Sequence, residues 1–149
     1  MDLNSVIFKG TTADKRSAVE SATQRELLNV SVDTIKKILS KQSADKYYPD
    51  RKTLYFGNVS NHWNADAKSV ELYKGKVFIN FYVQYSNTDT DTCDYLDKFL
   101  RGGDYRGAVN YTDMYDNPHT SYYRFDQNDK ANVVKAILLT YIDNCEKKG

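Results

Sequence analysis

Residues 69–85 carry the pattern that most restricts how this chain can fold. Hydrophobic alternation runs through 69–73 and resumes through 76–85, and Lys74-Gly75 between them has the length and residue types of a two-residue hairpin turn. That turn sets Tyr73 opposite Lys76, Leu72 opposite Val77 and Val70 opposite Ile79, so all four aliphatics share one face. A slip of one residue would scatter them over both faces. Phe81, Val83 and Tyr85 extend the core face, while Phe78, Asn80, Tyr82 and Gln84 project from the other.

The rest of the chain reads as helices and strands around this hairpin. Val6 to Phe8 suggests a short strand or an arm. Residues 13–28 have helix-forming composition with a thin apolar stripe of Val19, Ala22, Leu27 and Leu28. Ser31 is a good N-cap for a second helix from Val32 to about Gln42, on which Ile35, Ile38 and Leu39 recur at helical spacing. A strand is expected over 53–56. A helix capped by Thr90 or Asp91 would turn Cys93, Leu96, Phe99 and Leu100 inward and stop at Gly102-Gly103 through positive φ angles. Residues 104–120 read as loop with a strand near 108–111, residues 121–125 as a strand, and Asn128 or Asp129 opens a helix carrying Val134, Ile137, Leu138, Tyr141 and Cys145. The fold class expected is α+β, one domain over residues 1–149, with an antiparallel sheet of about four to five strands and helices mainly on one face.

Length and composition limit the function classes. A chain of 149 residues can bury roughly 70% of its unfolded surface, so it needs no disulfide staple. With 28% charged and 40% hydrophobic residues and a net charge of +1, it is neither a disordered polyelectrolyte nor a wholly basic nucleic-acid coat. No apolar run approaches the roughly 18 residues of a membrane span, and Met1-Asp2-Leu3-Asn4 does not resemble a signal peptide, so a cytoplasmic location and no membrane partner are expected. Cys93 and Cys145 are expected as buried small hydrophobes.

Tyrosine is the compositional outlier, with 13 against one tryptophan and two prolines. Its rigid ring and polar tip suit contact surfaces. Charge is also uneven: residues 1–52 carry ten basic and seven acidic side chains, a net of +3, whereas residues 86–129 carry nine aspartates and four basic residues, a net of −5. An acidic, tyrosine-bearing surface of this kind would fit a basic groove on another protein, as a DNA mimic does. The anchors expected are Phe78, Tyr82, Tyr111, Tyr115, Tyr122 and Arg124, with Asp104, Asp113 and Asp116 supplying complementary charge.

Motifs for chemistry are sparse. There is no nucleophile elbow, no phosphate-binding glycine loop and no dinucleotide fingerprint. The run Asp89-Thr-Asp91-Thr-Cys-Asp94 lacks the central Gly and closing Glu of a calcium loop. His62 with Asp66 offers two metal ligands and no third, so neither metal nor cofactor is expected. The stretch from Arg101 to Gly107 could wrap a phosphate, although a helix stop explains it more simply. If His62 and His119 met in space, they could serve as a general acid and base for a phosphodiesterase or nuclease, with Arg106, Arg124 or Lys76 on the phosphate.

Residues 21–37 are similar to a helix-turn-helix, with Asn29 at the turn position that favours positive φ, Val30 plugging the core, and Ile35 and Ile38 facing inward. The resemblance implies that Ser31, Val32, Asp33, Lys36 and Lys37 face a DNA groove. It departs from the pattern at Arg25, where the first helix ordinarily has a small residue. Taken together, the leading expectation is a small non-enzymatic interaction protein with a protein partner, such as an inhibitor of a host nuclease carried by a phage or mobile element. A DNA-binding regulator using residues 21–39 and a small hydrolase are the alternatives, and the aromatic face could equally be a homodimer contact.

Overall fold

A computed structural model describes residues 2–61, 65–83 and 91–148. Its centre is an antiparallel meander, β1 (Arg51–Ser60), β2 (Ala65–Tyr73), β3 (Lys76–Val83) and β4 (Asp91–Tyr95), paired in that order. The hairpin has the expected register, Tyr73 with Lys76, Leu72 with Val77 and Val70 with Ile79. Lys74 and Gly75 both take positive φ, 51° and 77°, the backbone that a tight hairpin turn of matching twist requires. Val77, Ile79, Phe81 and Val83 are buried on the inner face.

A bulge explains why β2 is longer than its alternation suggests. Ala65 and Ala67 pair with Val83 and Phe81, then the register shifts before Ser69 pairs with Asn80. The extra residue, Lys68, switches parity, so odd-numbered Ala65 and Ala67 and even-numbered Val70 all reach the core.

Helices cover the inner face. Among the described residues they are α1 (Leu3–Val6), α2 (Thr12–Glu20), α3 (Gln24–Leu28), α4 (Val32–Ser40), α5 (Leu96–Arg101) and α6 (Gln127–Lys148). Val6 thus ends a helix and is not in a strand, because Asp2 caps the backbone of Asn4 and starts a turn there. The helix expected over 13–28 is two helices: Thr23 and Glu26 form a capping box of their own, which stops α2 and restarts the chain as α3. Asp126 and Asp129 cap each other's backbone N–H groups to begin α6. Val134, Ile137 and Leu138 of α6 join Val19, Leu27, Ile35 and Ile38 in one core against the sheet. No helix among the described residues is long and apolar enough to cross a membrane.

Two further expectations are corrected. Residues 91–95 are a strand, not a helix start, since pairing with β3 (Phe78 opposite Tyr95, Asn80 opposite Cys93) outweighs local helical periodicity. Gly102 does not use positive φ; its φ is −84°. The carbonyls of Gly102 and Gly103 instead accept hydrogen bonds from the buried ammonium of Lys130.

The strands do not form one sheet. β5 (Tyr105–Thr112) and β6 (Pro118–Phe125) make a separate two-stranded ribbon. Its inner face, Tyr105, Tyr123 and Phe125, packs on Phe81 of β3 with ring centroids 5.2–5.6 Å apart, and Phe99 of α5 closes the cluster. Rings crossing at these angles and distances add to the burial of their own surface.

Candidate functional site

Six of the nine residues expected at the contact surface fall on the ribbon and Asp104 immediately precedes it, and most are held by local chemistry. Asp113 organises the tip: its Oδ1 accepts the N–H groups of Tyr115 (2.8 Å) and Asn117 (3.0 Å), and its Oδ2 lies 2.7 Å from His119 Nε2. The His119 hydrogen bond, supported by the Asn117 and Tyr115 backbone, holds the Asp113 carboxyl down at about 2. His119 in turn stacks on Tyr111, centroids 5.4 Å apart. Asp116 takes φ 62° to complete the turn. Met114 and Tyr115 are left pointing outward, 72% and 77% exposed.

On the shaft, residues alternate between the core and solvent. Tyr122 opposes Ala108 on the solvent side and is 67% exposed, and Arg106 opposes Arg124 there. Arg124 Nε lies 3.4 Å from Asp104 Oδ2. Tyr111 belongs to the opposite ribbon face from Tyr122, so the two do not form one patch.

Phe78 and Tyr82 lie elsewhere, on the outer face of the four-stranded sheet, across from the side on which Phe81 meets the ribbon. Phe78 stacks on Tyr95 at 4.8 Å, and the Lys68 ammonium sits 5.5 Å over the Tyr82 ring. Neighbouring them is a cleft of about 410 Å³ between this face and the loop at 45–50. Asp45 accepts the N–H groups of Tyr47 and Tyr48, and Asp45 N donates to the Arg51 carbonyl, which folds the loop back on β1. Within the cleft the Arg51 guanidinium lies between the rings of Tyr48 (5.0 Å) and Tyr73 (4.6 Å), with Nη1 3.7 Å from Glu71 Oε2. Its buried Nε finds no hydrogen-bond partner among the described residues. Ser69 and Asn80 form a polar floor, the Asn80 amide donating to the Ser69 hydroxyl over 2.8 Å.

Sequence reasoning missed Tyr47, Tyr48, Arg51 and Tyr55 here. Tyr55 was within reach, because it alternates with core residue Leu54. The cleft was not, since its parts lie far apart in sequence and meet through β-pairing.

The helix-turn-helix expectation meets a different geometry. α3 has only five residues, and Asn29 takes φ −83°, not a positive value. The turn is held by other means: Arg101 donates to the carbonyls of Leu28 (3.3 Å) and Val30 (2.9 Å). This also accounts for Arg101 without a phosphate. The Ser31 hydroxyl accepts the Thr34 N–H as the cap of α4 and is tied up there. Asp33, Lys36 and Lys37 are exposed, and the Lys37 ammonium sits 5.9 Å from the Phe8 ring. His62 lies outside the described residues, and His119 is a structural partner of Asp113 at the ribbon tip. Among the described residues no three metal-binding side chains cluster.

Comparison of the chain with protein-family models, with curated proteins and with solved structures gives no match.

Proposed function

We propose that this chain is a non-enzymatic interaction protein that docks a protein partner on the ribbon formed by β5 and β6. The observation that carries the reading is the preformed presentation of three large exposed side chains: Met114 and Tyr115 on a tip held by Asp113, Asn117 and His119, and Tyr122 on β6 where it pairs with Ala108. Ordering flexible groups is a main cost of association, so a preformed aromatic projection is well suited to anchor an interface. Arg124 and Asp116 would contribute polar rim contacts. Tyr111, Asp104 and Asp113 act within the ribbon and support the anchors. Inhibition of a host enzyme such as a nuclease, by a protein of phage or mobile-element origin, is one form such docking would take.

A photoreactive phenylalanine analogue at position 115 or 122 tests the reading in extract of the native cells. One protein should be cross-linked from both positions and not from position 20, at the end of α2. Tyr115→Ala and Tyr122→Ala should each weaken its binding about tenfold or more, the range of interface hot spots. Equal adducts from position 20, or none from the ribbon, would remove the proposal.

A further inference from the structure

We infer that the outer face of the four-stranded sheet is a second, separate site, for single-stranded nucleic acid, with bases stacking on Tyr55 and the tyrosines of the 45–50 loop and phosphates meeting Arg51, Lys68, Lys74 and Lys76. β-Pairing sets this face apart from the ribbon: Tyr55 pairs with Ser69 and Ser69 with Asn80, and Thr53, Glu71, Phe78 and Tyr95 form the next rung, so these side chains share one face. Tyr55 is 65% exposed, and Tyr47 and Tyr48 stand exposed above the same cleft.

The charges are sorted by exposure. Glu71 and Asp66 are buried, and Asp45 is engaged with the backbone of Tyr47 and Tyr48. Among the described side chains of this face and its loop, the other exposed or half-exposed charges are cationic, at Lys46, Arg51, Lys68, Lys74 and Lys76, against the exposed carboxylate of Asp50 just before β1. Each of these cations lies within 4.6–5.6 Å of a tyrosine ring centroid on this face. Alternating rings and cations are the two elements that bind single strands with little sequence preference, because every base has a face to stack and every nucleotide a phosphate. The whole chain is nearly neutral, but a local stripe of cations suffices for backbone contact.

Three features favour a single strand over other anions. Bases within a duplex are stacked on one another and cannot lie on rings set in a sheet. An acidic protein segment would use the lysines and leave the stacking surface idle. The floor of the cleft is polar, formed by Asn80, Ser69 and Arg51 with the Asn80 amide donating to the Ser69 hydroxyl, which suits a surface that meets base edges and phosphates. At about 410 Å³ the cleft is in the size range of small-ligand pockets, roughly 300–1,000 Å³.

Fluorescence anisotropy of the intact protein with labelled 12-nucleotide oligo(dT) and oligo(rU) tests the site. Binding is expected at about 50 mM salt, and Tyr55→Ala should weaken it at least fivefold, as loss of one stacked base does. Lys74→Asn with Lys76→Gln should flatten the dependence of log K on log salt by about 1.4, two phosphates at roughly 0.7 each for a single strand. Asn is chosen at 74 because it tolerates the positive φ there. Tyr122→Ala on the ribbon should leave oligonucleotide binding unchanged. Absence of binding at about 50 mM salt, equal affinity for a duplex of the same length, or equal affinity for poly-glutamate with the same loss in Tyr55→Ala would each overturn the assignment.

Discussion

Gly107 lies against the ring of Tyr123: a Cβ built on Gly107 would come within 2.4 Å of the phenol Cζ and hydroxyl. The two residues pair across the ribbon, and Tyr123 is pinned from behind by Phe81, Tyr105 and Phe125. These three rings limit how far the Tyr123 ring can shift. Gly107→Ala should destabilise the fold by about 1–3 kcal/mol, the usual cost of overpacking, and lower the melting temperature by several degrees. Thermal unfolding followed by circular dichroism checks it, and an unchanged melting temperature would show that the ring can move.

The ribbon tip should respond to pH through Asp113. Its carboxyl is lowered from an ordinary 3.8 to about 2, first by the hydrogen bond with His119 and then by the backbone of Asn117 and Tyr115. A carboxyl whose folded value is depressed stabilises the fold fully above its unfolded value, and that contribution disappears as pH falls from about 4 towards 2. Carbon-detected NMR titration should place Asp113 near 2. In His119→Ala the titration should move up towards the ordinary value, with broadened resonances at Met114 and Tyr115. An unmoved titration would remove His119 as the cause.

The parts of this fold that were legible in the sequence are those fixed locally. Lys74-Gly75 and the alternation around it specify one register, and Ser31 with Ile35, Ile38 and Leu39 specify α4. What failed was decided at a distance. Residues 91–95 followed by Leu96 look helical until β3 offers Phe78 and Asn80 as pairing partners. Lys68 hides the first half of β2, because a bulge breaks the parity that sequence alternation depends on. The two-sheet arrangement is similarly non-local, since residues 105–125 meet β3 through aromatic side chains rather than through backbone pairing. Tyrosine enrichment goes with exposed rings, among them Tyr47, Tyr48, Tyr55, Tyr115 and Tyr122, but composition could not show that Tyr82 and Tyr122 belong to different faces.

Asn4 should matter more to stability than an ordinary side chain near a chain end. Its Oδ1 accepts the Ser31 N–H (2.8 Å) and the Thr34 hydroxyl (2.6 Å), while its Nδ2 donates to the Asn29 carbonyl (3.2 Å). One amide thus joins α1 to the turn and first residues of α4. Asn4→Ala removes these three hydrogen bonds, together with the local one from Nδ2 to Asp2 Oδ1, and leaves half-buried groups unmet, which should cost about 1–3 kcal/mol. Asn4→Asp keeps the acceptor but loses the donor to Asn29, and should recover part of that. Urea unfolding of both variants measures the difference, and equal stability of Asn4→Ala and the parent would show the bridge to be dispensable.

Lys130 offers the sharpest test of how the α5 end is held. Its side chain is fully buried, its Nζ donates to the carbonyls of Gly102 and Gly103, and it lies 5.7 Å from the Phe99 ring centroid. Burial pushes its pKa below the ordinary lysine value, with the Asp104 charge opposing the shift. A cation whose folded pKa is depressed costs stability below that folded value, and the cost is relieved as pH rises to the unfolded value near 10.5. Lys130→Met keeps much of the apolar stem and removes the charge. The burial cost disappears with it, but two carbonyls lose their donor, and breaking such a partnership commonly outweighs the relief. The variant should therefore be less stable at pH 7 by about 1–3 kcal/mol, with faster amide exchange at residues 102–105. A variant as stable as the parent, with unchanged exchange there, would mean that water replaces the ammonium and that Gly102-Gly103 stops α5 without help from α6.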